Sequence, residues 1–433
     1  MAAPELTGPA QIRRLLMGLL GPQANAAAPD SRQWDLLSSL AGEHRLQPHL
    51  HGRLSRGELT VLPPPGIAAT WEAAHRRSAI SALAHRAELM RLTDILSGAG
   101  IAPTALKGAW LAWYAYPSPA ERPVRDIDLL IAPNQVLAAF ELLLDAGYMQ
   151  AEPSAKPAAE MVKSAKHLPP LESPGGIRLE LHMRCWETQA AFESFVPAND
   201  DPGIRERASK GARATDPVKY PSPRDMLDHL IIHAAYSHQL DVGPLLLSDL
   251  NYLVRSTAVD WQQLWARAEN GGWENGAALI IAALDRWRIP GLLDHSGCRI
   301  AVPPSLIDAV PDLLLQSRAT RKSAGLMAAL GGANHEGGTA MMGKRALDRL
   351  GGRGRPAGQP YWQWLFGRTG RTLAQLTDRE TRRTGLKLVQ LNNWLNHSAG
   401  QSRRDTLPVT AIPLDTASVQ NLSHSHEDTD DRT

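Results

Sequence analysis

Two aspartates stand two residues apart where a short apolar run begins. The run reads DIDLLIA and starts at Asp126, with Asp128 two positions later. Because successive side chains of a strand point to opposite faces, both carboxylates lie on one face and Ile127 and Leu129 on the other. Two like charges a few ångströms apart disfavour joint ionisation, so the pair requires a bound cation, a proton or open solvent. A strand end that faces water is the simplest of these alternatives.

A third carboxylate lies on a later run that also alternates. In the run IRLELH, Glu180 lies between Leu179 and Leu181, and the alternation predicts a strand with its charged residues on one face. His182 shares that face with Glu180, where it orients the acid, contacts a substrate, or is a partly buried structural histidine. His167, ahead of this strand, is a further candidate to reach the same cleft.

A lysine and a glycine precede both acidic runs. The run IAPTAL predicts a strand and AWLAWYAY predicts a helix, and Lys107 and Gly108 lie between them. Glycine at such a turn lets backbone amides approach a phosphate, to which the start of the following helix adds its positive end. Lys107 either contacts phosphate here or is simply solvated. Three carboxylates beside such a turn suit two-metal catalysis, in which two ions about 3.5 to 4 Å apart hold the attacking and leaving oxygens of a phosphoryl transfer.

Two arginines flank the paired aspartates. Arg122 and Arg125 either steer a triphosphate towards the site or neutralise the two carboxylates as surface ion pairs, which contribute little stability. We favour the phosphate role, because the loop that carries both arginines is expected to lie beside the site.

The order of these motifs resembles that of the DNA polymerase β-like nucleotidyltransferase superfamily: a glycine turn, two acids on one strand and a third acid on a later strand. More closely, the runs LKGAWLAWYAYPSPAERPVRDIDLLI and LELHMRCW resemble an uncharacterised bacterial nucleotidyltransferase family. The runs MLDHLIIHAAYSH, LLLSDLNYLV and VDWQQLWARAENGG resemble its helical C-terminal half. The resemblance covers residues 12 to about 290.

The resemblance implies a role for each candidate residue. Gly108 shapes the turn that binds the nucleoside triphosphate, and Asp126 and Asp128 ligate Mg²⁺ or Mn²⁺. Glu180 is the third acid, as a metal ligand or as the base for the acceptor hydroxyl. The turn departs from many superfamily members, because Ala109 follows the glycine where they carry serine or glycine.

The implied activity is metal-dependent transfer of a nucleoside monophosphate from a nucleoside triphosphate to an acceptor, with release of pyrophosphate. The acceptor stays open between a small hydroxylated metabolite, a sugar or antibiotic, a protein side chain and an RNA end. The alternative is a non-catalytic binding or regulatory protein that retains the nucleotidyltransferase fold, in which the helical flanks carry the function.

Helical periodicity flanks the strands on both sides. It predicts an α+β fold, with a small mixed-sheet nucleotidyltransferase core between N-terminal and C-terminal helical regions. The predicted regions are an N-terminal helical region over 1–99, the α/β core over 100–200, a helical domain over 201–330, a basic helical extension rich in glycine and arginine over 331–398, and a disordered tail over 399–433.

The composition limits the classes of protein that fit. Of the 433 residues, 43% are hydrophobic and 21% are charged, and the net charge of +2 argues against a dedicated nucleic-acid-binding protein. The two cysteines, Cys185 and Cys298, argue for a reducing compartment and against a disulfide framework or a cysteine-rich zinc site. No run resembles a membrane span, and the first apolar run predicts a helix rather than a signal peptide. We therefore expect a cytoplasmic protein.

Three further features have a structural explanation beside the functional one. His229 and His233 stand four residues apart, as zinc ligands can, but we favour structural histidines. Asp249 is assigned to a polar network of the helical half. The basic residues of 344–387 alternate with aromatic ones, which allows a nucleic-acid contact. Solvated helix faces around a buried aromatic patch explain the same residues and are favoured.

Overall fold

The structure is a computed structural model. It describes residues 8–22, 28–154, 156–186, 202–211, 217–317, 320–321, 324 and 379–396. Of the basic extension predicted over 331–398, only 379–396 is described, and this segment is helical. The tail predicted over 399–433 lies outside the described residues.

Helices lie before, between and after the strands. They are α1 (Pro9–Leu19), α2 (Ser31–Glu43), α3 (Gln47–Ser55), α4 (Pro65–Gly98), α5 (Gly108–Tyr114), α6 (Val136–Asp145), α7 (Ala158–Ser164), α8 (Pro202–Glu206), α9 (Pro223–Ile232), α10 (Leu245–Ser256), α11 (Trp261–Asn270), α12 (Glu274–Trp287), α13 (Leu292–His295), α14 (Pro304–Leu314) and α15 (Arg379–Asn396). A π-helical turn, His233–Ser237, continues α9, and a 3-10 turn, Pro119–Glu121, follows α5. Among the residues that the structure describes, no helix is both long and apolar enough to cross a membrane.

Short strands form one mixed sheet in the described part of the chain. They are β1 (Thr104–Ala105), β2 (Asp126–Leu130), β3 (Met149–Gln150), β4 (Leu171–Glu172), β5 (Arg178–His182), β6 (Ser209–Lys210) and β7 (Lys219–Tyr220). Their order across the sheet is β3-β4-β5-β2-β1-β7-β6. The two longest strands, β2 and β5, are neighbours and parallel, whereas β1 and β2 are antiparallel. The predicted fold class, a mixed sheet flanked by helices, is confirmed.

Two hydrophobic cores hold the helices and the sheet together. The first lies against the sheet, where Leu92 of α4 and Phe140 of α6 belong to one buried cluster with Ile127 and Leu179. The second is helical and unites residues of α1 to α3 with residues of every helix from α9 onward in the described chain. The long helix α4 thus supports the sheet on one side. Leu130 of β2 joins the core that the N-terminal and C-terminal helices share.

Several short elements differ from the sequence expectation. The predicted strand IAPTAL is reduced to Thr104–Ala105, and the polar stretch 151–176 contains α7 and β4, which periodicity does not indicate. A strand of two residues is too short to show an alternating pattern. Its position is set by the strand with which it pairs, so such elements depend on tertiary structure.

Candidate active site

The register between β2 and β5 brings two of the predicted acids side by side. In this parallel pair, Asp128 lies opposite Glu180, and Asp126 lies opposite Arg178. Ile127, between the two aspartates, is buried in the core against the sheet. The alternation expected from the sequence therefore places the carboxylates on the face of the sheet that does not join this core.

Asp128, Glu180 and His182 form a compact group. One donor atom from each residue lies within 4.8 Å of the other two, and within the described chain this is the set that could together hold a metal ion. Nε2 of His182 lies 2.8 Å from Oδ1 of Asp128 and 3.4 Å from Oε2 of Glu180. His182 and Asp128 are both buried. The imidazole edge therefore faces the two carboxylates directly.

Lys107 supplies a positive charge to this group. Its Nζ lies 3.3 Å from Oδ1 of Asp128. Its backbone has φ 47° and ψ −116°, a conformation that glycine adopts readily and lysine rarely. Backbone strain of this kind persists only where the surrounding structure holds it, and it is found preferentially at functional sites. Lys107 therefore supplies a positive charge that reduces the repulsion between the two neighbouring carboxylates.

The charges in the group shift one another's pKa values. Burial alone raises the pKa of Asp128, but the charge of Lys107 and the hydrogen bond from His182 outweigh burial and hold this pKa below its usual value. Burial raises the pKa of Asp126, and the neighbouring charge of Asp128 raises it further. Burial lowers the pKa of His182, but its hydrogen bond to Asp128 and the nearby carboxylate of Glu180 raise it above the usual value. Asp128 is therefore strongly ionised, whereas Asp126 takes up a proton more readily.

Gly108 packs closely against Arg122, and a larger residue would displace the guanidinium. A Cβ on Gly108 would lie 2.3 Å from Nη1 of Arg122. Arg122 is itself held by Asp249, whose carboxylate accepts from Nε at 3.1 Å and from Nη2 at 2.9 Å. Tyr116 donates its hydroxyl to the same carboxylate at 2.7 Å. Asp249 thus ties α10 to the loop before β2, and Arg122 has a structural partner beside its predicted phosphate role.

Two other candidate residues lie at the edge of the compact group. Arg125 is exposed and near enough for its charge to act on Asp126. Nε2 of His167 lies 3.9 Å from Oε2 of Glu180, and its ring centroid lies 5.2 Å from that of His182. The structure thus brings His167 to the acids, as the sequence allowed. A phosphate contact from Arg125 stays a prediction.

The position of His182 is the main feature that the predicted ligand set omitted. Its spacing from Glu180 allows several roles for His182. The structure places this residue inside the compact group, whereas Asp126 is not a member of that group. The signal was present in the sequence, because His182 follows Glu180 by two residues on a strand and so shares its face.

A comparison with protein families adds an independent finding. A family model described as an uncharacterised nucleotidyltransferase matches residues 30–288, more than half of the chain. The chain belongs to this nucleotidyltransferase family. No curated protein and no solved structure matches the chain. The matched range contains the sheet, the compact group of Asp128, Glu180 and His182, and the helices from α2 to α12.

The donor set of this nucleotidyltransferase-family site suits a divalent cation. Two carboxylates offer the oxygen ligands that Mg²⁺ prefers, and an imidazole beside them extends the range to Mn²⁺ and related ions. One donor atom of each of the three residues lies within 4.8 Å of the other two, close enough for one ion to contact all three. Asp128, Glu180 and His182 therefore fit a metal, with Asp126 as a further carboxylate on the same strand.

Proposed function

We propose that this chain is a metal-dependent nucleotidyltransferase of the polymerase β-like superfamily. It transfers a nucleoside monophosphate from a nucleoside triphosphate to an acceptor and releases pyrophosphate. One observation carries the proposal: in a chain of a nucleotidyltransferase family, the register of β2 and β5 sets Asp128 beside Glu180, with Asp126 two residues earlier on the same strand.

The acidic residues have defined roles in this proposal. Asp126, Asp128 and Glu180 hold Mg²⁺ or Mn²⁺, and His182 either joins them as a ligand or donates a hydrogen bond that orients the carboxylates. When bound, the metal supplies positive charge to the triphosphate and to the acceptor oxygen. Glu180 is alternatively the base that takes the acceptor's proton, a role for which its lowered pKa leaves it ionised. Burial opposes that shift, and the hydrogen bond from His182 produces it.

The transfer forms one bond and breaks another. The acceptor hydroxyl gives its proton to Glu180 or to solvent, and its oxygen forms a bond to the α-phosphorus. The bond from that phosphorus to the bridging oxygen breaks, and pyrophosphate leaves with the electron pair. In this proposal Lys107, at the turn before α5, balances phosphate charge, and Gly108 keeps that turn compact. Arg125, which is exposed, attracts the triphosphate from solvent.

A second candidate function is that of a non-catalytic binding protein with the same fold. The ion pair between Lys107 and Asp128 favours it, because this pair already relieves the repulsion between carboxylates that a metal ion would otherwise relieve. In that case the acidic group is a structural feature of the sheet, and the helical flanks bind the partner.

Calorimetric titration tests the first proposal. ATP, GTP, CTP and UTP are each titrated into the protein with Mg²⁺, and the titration is repeated with the Asp126→Asn, Asp128→Asn double variant. Asp145→Asn, which alters an exposed acid at the end of α6, is the matched control. We expect Mg²⁺-dependent binding by the wild type and the control, and its loss in the double variant. Unchanged binding by a folded double variant would refute the assigned site.

The Lys107→Met variant separates the two candidates. If the acids form a metal site, removing the neighbouring positive charge strengthens Mg²⁺ binding, because Lys107 no longer competes for Asp128. If the acids are structural, the variant is less stable and Mg²⁺ does not bind to it. Thermal unfolding with and without Mg²⁺ distinguishes these results.

A further inference from the structure

Three histidines form a row on α9 and the π-helical turn that continues it. His229 and His233 are four residues apart and share a face of an α-helix, but His238 is five residues further on and would leave that face. In the π turn the backbone amide of His238 donates to the carbonyl of His233, five residues earlier, at 3.1 Å. This turn brings His238 back to the face that carries His229 and His233. The ring centroids of His229 and His233 are 5.5 Å apart, and those of His233 and His238 are 4.3 Å apart.

The backbone after the row is strained. Gln239 and Leu240 both have positive φ, at 49° and 65°, although neither is glycine. A π turn followed by two residues of this kind is an unfavourable way to end a helix, so the surrounding contacts must hold it. Its visible effect is to align the third histidine with the other two.

At the inner end of the row, ring nitrogens are buried without a hydrogen-bond partner among the described residues. His229 is 2% exposed, and neither of its ring nitrogens has a hydrogen-bond partner there; the same holds for Nδ1 of His233. Trp186 stacks on His229 with ring centroids 5.0 Å apart, so packing fixes the ring. Burying an unpaired polar group is unfavourable, so a position with a purely structural role would favour an apolar ring over an imidazole.

The charges of Lys107 and of the compact group reach the histidine row. Lys107 is close enough to lower the pKa of His229, after the larger effect of burial. Lys166 and Lys107 act in the same way on His238, whose carbonyl also accepts a hydrogen bond from Arg321 at 3.0 Å. The negative charge of Asp128 also reaches His229, and that of Glu180 reaches His238. Burial and these neighbouring cations keep the three histidines neutral, so each imidazole has one N–H to donate. Of the cations, Lys107 pairs with Asp128 and Arg321 pairs with Asp241.

We propose that His229, His233 and His238 form, with Lys107, a subsite for the terminal phosphates of the nucleotide and for the pyrophosphate that leaves. This inference rests on the proposed function and deepens it. Neutral N–H groups that hydrogen-bond phosphate oxygens beside a lysine are a chemically suitable lining for such an anion. A metal held by the row is less suitable, because in the described residues the compact ligand group is Asp128, Glu180 and His182. His233 and His238 are only partly buried, so the row opens outward from His229.

Inorganic pyrophosphate with Mg²⁺ is the probe for this subsite. Its binding is measured by calorimetry for the wild type and for His229→Phe and His233→Phe, which keep a flat ring for stacking but remove the ring nitrogens. His295→Phe, at an exposed histidine in α13, is the matched control. Circular dichroism establishes that each variant is folded. Mg²⁺-dependent binding of ATP is measured in parallel, with the Asp126→Asn, Asp128→Asn variant as reference.

We expect each row variant to bind pyrophosphate about tenfold to a hundredfold more weakly, which is the effect of losing a hydrogen bond to a charged group. The control is expected to bind as the wild type does. The proposed subsite is wrong if His229→Phe and His233→Phe bind pyrophosphate with wild-type affinity. It is also wrong if the wild type does not bind pyrophosphate. If ATP binding still depends on Asp126 and Asp128 in either case, the proposed function stands and only the subsite fails. If ATP binding is also absent, both fail.

Discussion

Replacing Gly108 with alanine tests whether packing or phosphate binding requires the glycine. The added Cβ would lie 2.3 Å from Nη1 of Arg122, so the guanidinium must retreat by about 1 Å to reach ordinary contact. Its hydrogen bonds to Asp249 are 2.9 and 3.1 Å long, and a retreat of that size takes at least one of them out of bonding range.

The expected loss of stability follows from these contacts. Overpacking a filled site costs about 1 to 3 kcal/mol, and breaking a buried ion pair costs about 3 to 5 kcal/mol. Asp249 keeps the hydrogen bond from Tyr116 and is not left without a partner. We therefore expect Gly108→Ala to lower the free energy of unfolding by about 3 kcal/mol, the value at which the two ranges meet.

Urea denaturation followed by tryptophan fluorescence measures this change without any nucleotide. Gly18→Ala in α1 is the matched control, because no atom lies within 4 Å of the added Cβ. Helix propensity then makes the control neutral or more stable by up to about 1 kcal/mol. In an Asp249→Asn background Arg122 is held less tightly, so the cost of Gly108→Ala should shrink. Equal stability of Gly108→Ala and Gly18→Ala would refute the packing argument, and weaker ATP binding alone would assign the glycine to phosphate.

Three further predictions concern metal binding, a buried ion pair and pH. Saturating Mg²⁺ should stabilise the wild type by about 2.7 kcal/mol at one hundred times its dissociation constant and should not stabilise Asp128→Asn, as thermal unfolding with EDTA controls will show. Glu121 is 1% exposed and pairs with Arg56, so Glu121→Gln should lower the free energy of unfolding by about 3 kcal/mol near pH 7. Burial opposes ionisation of Glu121, but its partners lower its pKa, so this contribution is present above about pH 4.3 and is lost as the pH falls through the folded pKa. If the free energy of unfolding of Glu121→Gln falls with decreasing pH as steeply as that of the wild type, this prediction is wrong. Burial, then the charge of Lys107, lowers the pKa of His229, so its contribution is present above about pH 6.5 and is lost on acidification, at about 1.4 kcal/mol per pH unit. His229→Phe should make the slope of stability against pH shallower by that amount, and an unchanged slope would count against a buried neutral imidazole.

The sequence determined the local features of the site, because these depend on residues only a few positions apart. Alternation in DIDLLIA and IRLELH placed the carboxylates on one face of each strand, and helical periodicity predicted the flanking helices. The structure confirms the mixed sheet flanked by helices. It also sets Asp128 opposite Glu180, whereas their role in a site stays a prediction. The family model matches residues 30–288, which lie within the range over which the sequence motifs resemble a nucleotidyltransferase family.

Tertiary structure alone decided which groups meet. The register of β2 against β5 pairs Asp128, and not Asp126, with Glu180 and brings His182 to Asp128 across 54 residues of chain. A shift of the register would leave each strand's own pattern unchanged, so only burial of both strands in one sheet selects it. The partners of Gly108 and of the histidine row are likewise set by distant packing and by a π turn, neither of which follows from the periodicity of neighbouring residues.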